Sequence, residues 1–310
     1  MLDIVPTLCV GMPPQTLRVA TVRGAECGNR NFSVSVMERL QPLDRLTHWH
    51  GNIRAIATDM DGTLTRRGEF SSALLADFER LDAAGIAVVV TTGRSAGWVS
   101  GLACYLPVAG LMAENGGIFY PGSRLKTLKS ALSVEQISDR ARDPNGWMLK
   151  DLGTLSRHRT TLSQVFYRLC QDFPHLQESS DNPFRQTDWT FDVRGLDDRQ
   201  IDIIKSLCLG ARCGFTYSNV QCHIQPPHQN KASGLDRLLE ELAPDFDRDR
   251  LITVGDSPND ESLFDVTRFP RSVGVANLAH YRDRLDHLPI ALTAAPEGEG
   301  FSELVNWLLD

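Results

Sequence analysis

Residues 86–91 read Ile-Ala-Val-Val-Val-Thr, apolar and β-branched almost without interruption. A strand with one face in water alternates apolar and polar positions. A run like this one is buried on both faces, the condition of a parallel sheet covered by helices. The flanking segments agree. Residues 53–58 form a second short run of strand type, and Ser71 or Ser72 can cap a helix on which Leu74, Leu75, Phe78 and Leu81 recur at helical spacing until Gly85. Residues 95–105 suit a further helix and 110–114 a further strand. Two βα units in succession imply right-handed crossovers and an open α/β sheet.

The same grammar returns late in the chain, with helices expected at 232–242, 258–265, 278–286 and 301–309 and strands at 251–255 and 272–276. Between the two blocks the pattern changes. Leu162, Val165, Phe166 and Leu169 make one helical face and Ile201, Ile204 and Leu207 another, while 190–193, 215–217 and 220–224 read as strands, with a hairpin at Tyr217-Ser218-Asn219-Val220. The expected fold is an α/β, Rossmann-like parallel-sheet core at 51–129 and 224–310, interrupted by an inserted α+β cap domain at 130–223. Residues 1–50, broken by Pro6, Gly11, Pro13, Pro14, Gly24 and Gly28, are expected to be a poorly ordered extension, dispensable over about the first 36 residues, with Met37 as an alternative start.

A chain of 310 residues that is 42% hydrophobic has the material for such a core, and a formal charge of −7 with no long basic block argues against a nucleic-acid binder. No stretch reaches the roughly 18 uninterrupted apolar residues of a membrane span. Asp3 stands where a secretory leader carries positive charge, so a cytoplasmic protein without a membrane partner is expected. The seven cysteines include no CxxC pair, which argues against a disulfide framework or a structural zinc site.

The chemistry gathers at strand ends. Residues 56–65 (IATDMDGTLT) carry a hydrophobic strand into Asp59 and Asp61, spaced i, i+2, and then Gly62. Two carboxylates then stand at the carboxyl edge of the sheet, where open α/β folds bind ligands. Residues 251–260 (LITVGDSPND) repeat the arrangement, with Asp256 just past a strand and Asp260 one helical turn later. Carboxylates so close need a counter-cation, and an all-oxygen donor set at a phosphate site is the Mg²⁺ pattern. Each segment alone also reads as a turn or a capped helix start. Two smaller signals lie between. Thr92-Gly93-Arg94-Ser95 closes a buried strand and opens a helix, gathering a hydroxyl and backbone N–H groups where a phosphoryl oxygen can sit. Lys231 begins a helix, the end at which the macrodipole disfavours a cation.

In this order and spacing, Asp59-Met60-Asp61-Gly62-Thr63, Thr92-Gly93-Arg94, Lys231 and Gly255-Asp256-Ser257-Pro258-Asn259-Asp260 resemble the four motifs of the haloacid dehalogenase superfamily of aspartate-nucleophile phosphatases. An extra domain between the second and third motifs, together with Glu114-Asn115-Gly116-Gly117, is similar to the subgroup with a type II, subtype B cap, which includes the Cof-type sugar phosphatases and sucrose-6-phosphate phosphatase. The resemblance implies Asp59 as nucleophile and Asp61 as general acid and base. It implies Mg²⁺ held by Asp59, the Asp61 backbone carbonyl, Asp256 and Asp260. Thr92, Gly93 and Lys231 would then bind the phosphoryl group. The implied partner is a small phosphorylated metabolite, a sugar phosphate foremost, with a phosphomannomutase-like transferase or a catalytically silent binding protein as alternatives.

The cap, with Gln225 and Asn230 in its return segment, would read the organic part of the substrate. Arg94 reads as a surface ion-pair partner, Asn115 as a turn or part of the site wall, His223 and His228 as half-buried or solvated, and Trp147 and Trp189 as packing residues.

Overall fold

The computed structural model describes residues 40–310. The expectations for residues 1–39, Met37 included, lie outside the described residues. In chain order the elements are β1 (Gln41–Pro42), β2 (Ala55–Thr58), α1 (Ser72–Ala83), β3 (Ala87–Thr91), α2 (Ala96–Tyr105), β4 (Gly110–Ala113), β5 (Ile118–Pro121), α3 (Leu125–Ala131), β6 (Trp147–Met148), α4 (Leu155–Asp172), β7 (Trp189–Asp192), α5 (Asp198–Gly210), β8 (Gly214–Tyr217), β9 (Gln221–Gln225), α6 (Lys231–Leu242), β10 (Leu251–Gly255), β11 (Ser272–Gly274), β12 (Ala291–Leu292) and α7 (Glu297–Leu309).

The larger sheet runs β1-β12-β11-β10-β2-β3-β4-β5-β6. Neighbours from β1 to β4 are parallel, and the β4–β5 and β5–β6 pairs at the far edge are antiparallel. Strands β2, β3, β4 and β10 are buried at every residue. Ile56, Val88, Val90 and Val254 meet Phe78, Val99 and Phe301 in one apolar layer, and Ala57, Val89 and Met112 meet Leu128, Leu235 and Phe264 in the other. Burial on two faces is why these strands show no alternation. The pairing that matters most sets Thr58 of β2 beside Val254 of β10, and the Asp59 N–H donates to the Val254 carbonyl at 2.9 Å. Two acid clusters far apart in the chain therefore leave the sheet side by side.

The smaller sheet, β7-β9-β8, is antiparallel. Helices α4 and α5 close it around a separate apolar core that includes Leu162, Phe166, Phe191 and Ile204. This is the inserted α+β cap, and its hairpin closes with the Ser218 N–H on the Gln221 carbonyl at 3.0 Å.

The structure draws three boundaries differently. Residues 130–149, expected in the cap, lie with the core: β6 pairs with β5, and Ala131, Ile137, Ala141, Trp147 and Leu149 pack in the second core layer. A two-residue strand carries no period to read. The end of the expected disordered extension is also structured. There β1 pairs with β12, and Leu43, Leu46 and Trp49 are buried. They belong to two consecutive 3₁₀ turns, Leu43–Arg45 and Thr47–Trp49, joined at Leu46; between Pro42 and Gly51 the segment is too short for a periodic pattern to establish itself. Finally, Pro258–Phe264 and Ala276–Arg284 are 3₁₀ turns where α-helices were expected. Among the described residues no helix is long and apolar enough to cross a membrane.

Candidate active site

The end of β2 delivers Asp59, the end of β10 delivers Asp256, and the first residue of α6 is Lys231. Lys231 is fully buried. Its Nζ donates to Asp59 Oδ1 and, at 2.6 Å, to Asp260 Oδ1. The other Asp260 oxygen accepts from the N–H groups of Asp256 (2.9 Å) and Ser257 (3.1 Å), which ties the 3₁₀ turn back onto the strand end. The Asp256 carboxylate accepts from Asn277 Nδ2 at 2.7 Å and from Thr63 Oγ1 at 3.3 Å. Gly62 follows the second acid because its φ of 84° and the Asp256 carboxylate against it leave no place for a Cβ.

Oxygens of Asp59, Asp256 and Asp260 lie within 4.8 Å of one another. Burial, and then Asp260, push the Asp59 carboxyl up to about 7 against the pull of Lys231. Burial, Asp59 and Asp260 raise Asp256 well above the usual carboxylate range. Burial opposes the Lys231 charge, but attraction to Asp260 and Asp59 outweighs it and holds the ammonium above its ordinary value. Three buried acids facing one ammonium form an all-oxygen donor set with excess negative charge, which fits a hard divalent cation.

Asp61 sits differently. Its carboxylate is gripped by Arg94 through Nε (2.9 Å) and Nη2 (2.6 Å), and the guanidinium lies 4.9 Å from the Trp98 ring centroid. Arg94 is thus part of the site wall and not merely a surface partner. The available signal was its place in the same strand-to-helix turn as Thr92. Thr92 is buried, with Oγ1 accepting from the Arg94 N–H at 3.2 Å. The structure does not bring Asn230 to the cluster as a free ligand: its side-chain oxygen caps α6 by accepting from the Ser233 N–H at 2.8 Å. Gln225 is likewise buried, its amide donating to the Gln229 carbonyl.

The cap closes from β9. His223, expected to be half-buried or solvated, is buried, and its ring stands so near Gly93 that a Cβ there would lie 2.9 Å from His223 Cε1. His228 is exposed. His223 Nδ1 pairs with Asp188 at 2.8 Å. Arg185 donates to both Asp188 oxygens at 3.0 Å, to Asp181 and Gln221 at 2.8 Å, and across the seam to the Gly93 carbonyl at 2.9 Å. Burial works against the Asp188 charge, yet Arg185 and His223 hold it below the usual carboxylate range. As a carboxylate it accepts, so His223 Nδ1 donates, while burial pulls the histidine pKa down.

Glu114 makes a second seam. Its backbone is left-handed, with φ 54°. Its carboxylate accepts from Ala96 N–H (2.8 Å) of the core and from Gln186 N–H (3.0 Å) and Thr187 Oγ1 (2.8 Å) of the cap. Burial pushes it up to about 7. The neighbouring Asn115 accepts from Asn259 at 3.1 Å. Between the two faces lies a cavity of about 10 Å³, walled by Asp59, Asp61, Gly93 and Arg94 below and by Ser218, Gln221 and His223 above. That is space for about one water molecule. Trp147 and Trp189 are not among the residues lining it.

The sequence profile of the haloacid dehalogenase-like hydrolases matches residues 56–143 and 166–280. A phosphoglycolate phosphatase of Methanothrix thermoacetophila is 26% identical over 267 residues, 82% of this chain and 96% of that protein. Another, of Halorubrum lacusprofundi, is 29% identical over 227 residues, 72% and 84% of the two chains. Among solved structures, Thermoplasma acidophilum 0175 superposes with a TM-score of 0.61 at 20% identity, over 83% of this chain and 99% of that one. The sucrose-phosphatase of Synechocystis, solved with sucrose and phosphate, superposes with a TM-score of 0.55 at 18% identity, over 82% and 97%. The two solved structures share the α/β architecture described above.

Proposed function

The chain belongs to the haloacid dehalogenase-like hydrolases, and from that premise we propose that it is a Mg²⁺-dependent phosphatase acting on a small phosphomonoester through an aspartyl-phosphate at Asp59. The observation that carries this reading is the buried Lys231 bonded to both Asp59 and Asp260, with Asp256 beside them. A structural ion pair needs one acid; surplus buried carboxylates cost stability and are explained by the chemistry they serve.

Asp59, Asp256, Asp260 and the Asp61 carbonyl are the groups that would hold Mg²⁺. When bound, the ion supplies positive charge that offsets repulsion between an anionic nucleophile and an anionic phosphate. An Asp59 oxygen attacks phosphorus; as the bond from phosphorus to the ester oxygen breaks, that oxygen takes a proton from Asp61. Water then attacks the same phosphorus, its proton passes to Asp61, the bond to Asp59 breaks and inorganic phosphate leaves. Lys231 orients Asp59 and, with Thr92 and the Gly93 backbone, meets the equatorial oxygens on which charge spreads.

For the substrate, a small phosphorylated acid is favoured over the sugar phosphate expected from the motifs. Over Asp59 and Asp61 the cap leaves a cavity of about 10 Å³, so it must lift there to admit any ester and closes best over a short one. The two relatives described above are phosphoglycolate phosphatases. The test is phosphate release from 2-phosphoglycolate and a panel of hexose phosphates, with Mg²⁺ and then with chelator. We expect the highest kcat/KM for the short acid, loss of turnover in chelator, and a fall of at least about 10³-fold in Asp59→Asn. Full turnover in chelator or in the variant overturns the mechanism, and a preferred hexose phosphate restores the sugar reading.

A further inference from the structure

Among the described residues three cations stand near the cavity, and two are each bonded to more than one group of the protein. Lys231 is bonded to Asp59 and Asp260, and Arg185 to Asp181, Asp188, Gln221 and the Gly93 carbonyl. The third, Arg94, lines the cavity itself. Among the described residues its guanidinium hydrogen-bonds only the Asp61 carboxylate, in a two-pronged grip at 2.9 and 2.6 Å, and rests on the face of Trp98. The ring backs the guanidinium, and the fork is a carboxylate receptor with a carboxylate already in it.

That occupant is the residue assigned to proton transfer. Both Asp61 oxygens accept from Arg94, a grip that has to loosen before one of them carries a proton to the ester oxygen. We propose that Arg94 is a specificity residue whose guanidinium receives a carboxylate carried by the substrate, at or next to the ester carbon, in exchange for Asp61. The proposal rests on the phosphatase reading and narrows its substrate to a phosphomonoester bearing a second anionic group. One exchange does two things: the substrate is held at both ends, between Lys231 and Arg94, and Asp61 is released to turn toward the bond that breaks. A substrate without the second anion must break the Asp61–Arg94 grip with nothing to replace it. Discrimination therefore enters turnover as well as binding.

The test compares 2-phosphoglycolate with ethyl phosphate, which keeps the carbon skeleton and lacks the carboxylate, and adds 4-nitrophenyl phosphate as an activated ester. All three are run on the full chain with Mg²⁺, for the unaltered protein, Arg94→Gln and Arg94→Lys. The unaltered protein is expected to favour 2-phosphoglycolate over ethyl phosphate by roughly 10- to 100-fold in kcat/KM, the worth of a charge-assisted two-pronged pair. Arg94→Gln should bring that ratio to within about threefold, and Arg94→Lys, with charge but no fork, should fall between. If Arg94→Gln lowers both esters in equal proportion, Arg94 only positions Asp61 and the proposal is overturned. If the unaltered protein hydrolyses 4-nitrophenyl phosphate but does not distinguish the matched esters, the proposal falls while the phosphatase reading stands. If no ester is hydrolysed, both fall.

Discussion

The core face of the cavity is supplied by strand ends. Asp59 follows β2 directly, Asp256 follows β10 directly, and their distance apart is set by the hydrogen-bonded register of two parallel strands. The cap face is supplied by side chains that hold one another: His223 by Asp188, Asp188 by Arg185, and Arg185 by a single core carbonyl at Gly93. The first can shift only if the sheet shifts. The second can be rebuilt by exchanging side chains on an insert with its own apolar core. On the proposed mechanism, placement of the reacting atoms, and the Arg94 fork beside them, falls to the rigid part, and admission of the substrate to the part that must move to let it in.

The comparison breaks first at Lys231. If the core face is a charge-balanced block, removing the Lys231 ammonium leaves buried carboxylates without a counter-charge. Lys231→Met is expected to cost about 3 to 5 kcal/mol in urea unfolding, with part regained on adding Mg²⁺. A loss below about 1 kcal/mol, or no response to Mg²⁺, would mean that the acids are relieved by water or protonation and that the block is no more rigid than the cap.

This contrast also decides what the sequence reveals. Parallel strands buried on two faces are legible because their burial is written locally, in runs such as Ala87–Thr91, and the acids that matter lie within a residue or two of such runs. Lys231 was legible because it stood at the wrong end of a helix for a lone cation. The seam was not legible. Arg185 reaches Gly93 across 92 positions and His223 reaches Asp188 across 35, and no periodicity records a guanidinium's partner. Arg94 shares the Thr92 turn, yet its grip on Asp61 depends on the register of β2 against β3. Leu43, Leu46 and Trp49 escape for a different reason: their 3₁₀ turns are three residues long and lie between Pro42 and Gly51, too short a stretch to carry a period.

The next test sharpens the comparison at the buried seam. Glu114 joins core and cap, and burial raises its carboxyl from the usual 4.5 to about 7. The fold therefore favours the protonated acid: this contribution to stability is fully present below the unfolded value and is lost as pH rises through about 7. Between about pH 5 and pH 8 the unaltered protein is expected to lose about 2 to 3 kcal/mol more stability than Glu114→Gln, measured by urea unfolding of both. Equal losses would mean that the donors from Ala96, Gln186 and Thr187 keep Glu114 ionised throughout, and that the seam is held by a charge.

The smallest effect is expected at the exposed seam. Arg284, at the end of a core 3₁₀ turn, donates to Asp202 of the cap at 2.9 Å and to Tyr217 Oη at 3.3 Å. The Asp202 side chain is 63% exposed. Water competes for both partners and salt screens them, so the contact contributes little to holding the cap shut. Arg284→Gln should change stability by about 0.5 kcal/mol or less and leave kcat/KM for the preferred ester within about twofold, with any difference shrinking as salt is added. The residue lies outside the cavity lining, so a change in substrate ranking is not expected from it. A loss above about 1 kcal/mol that persists in high salt would show that the cap is fastened from its outer rim as firmly as from Glu114. The distinction between a fixed core face and a movable cap face would then have to be redrawn around Arg284.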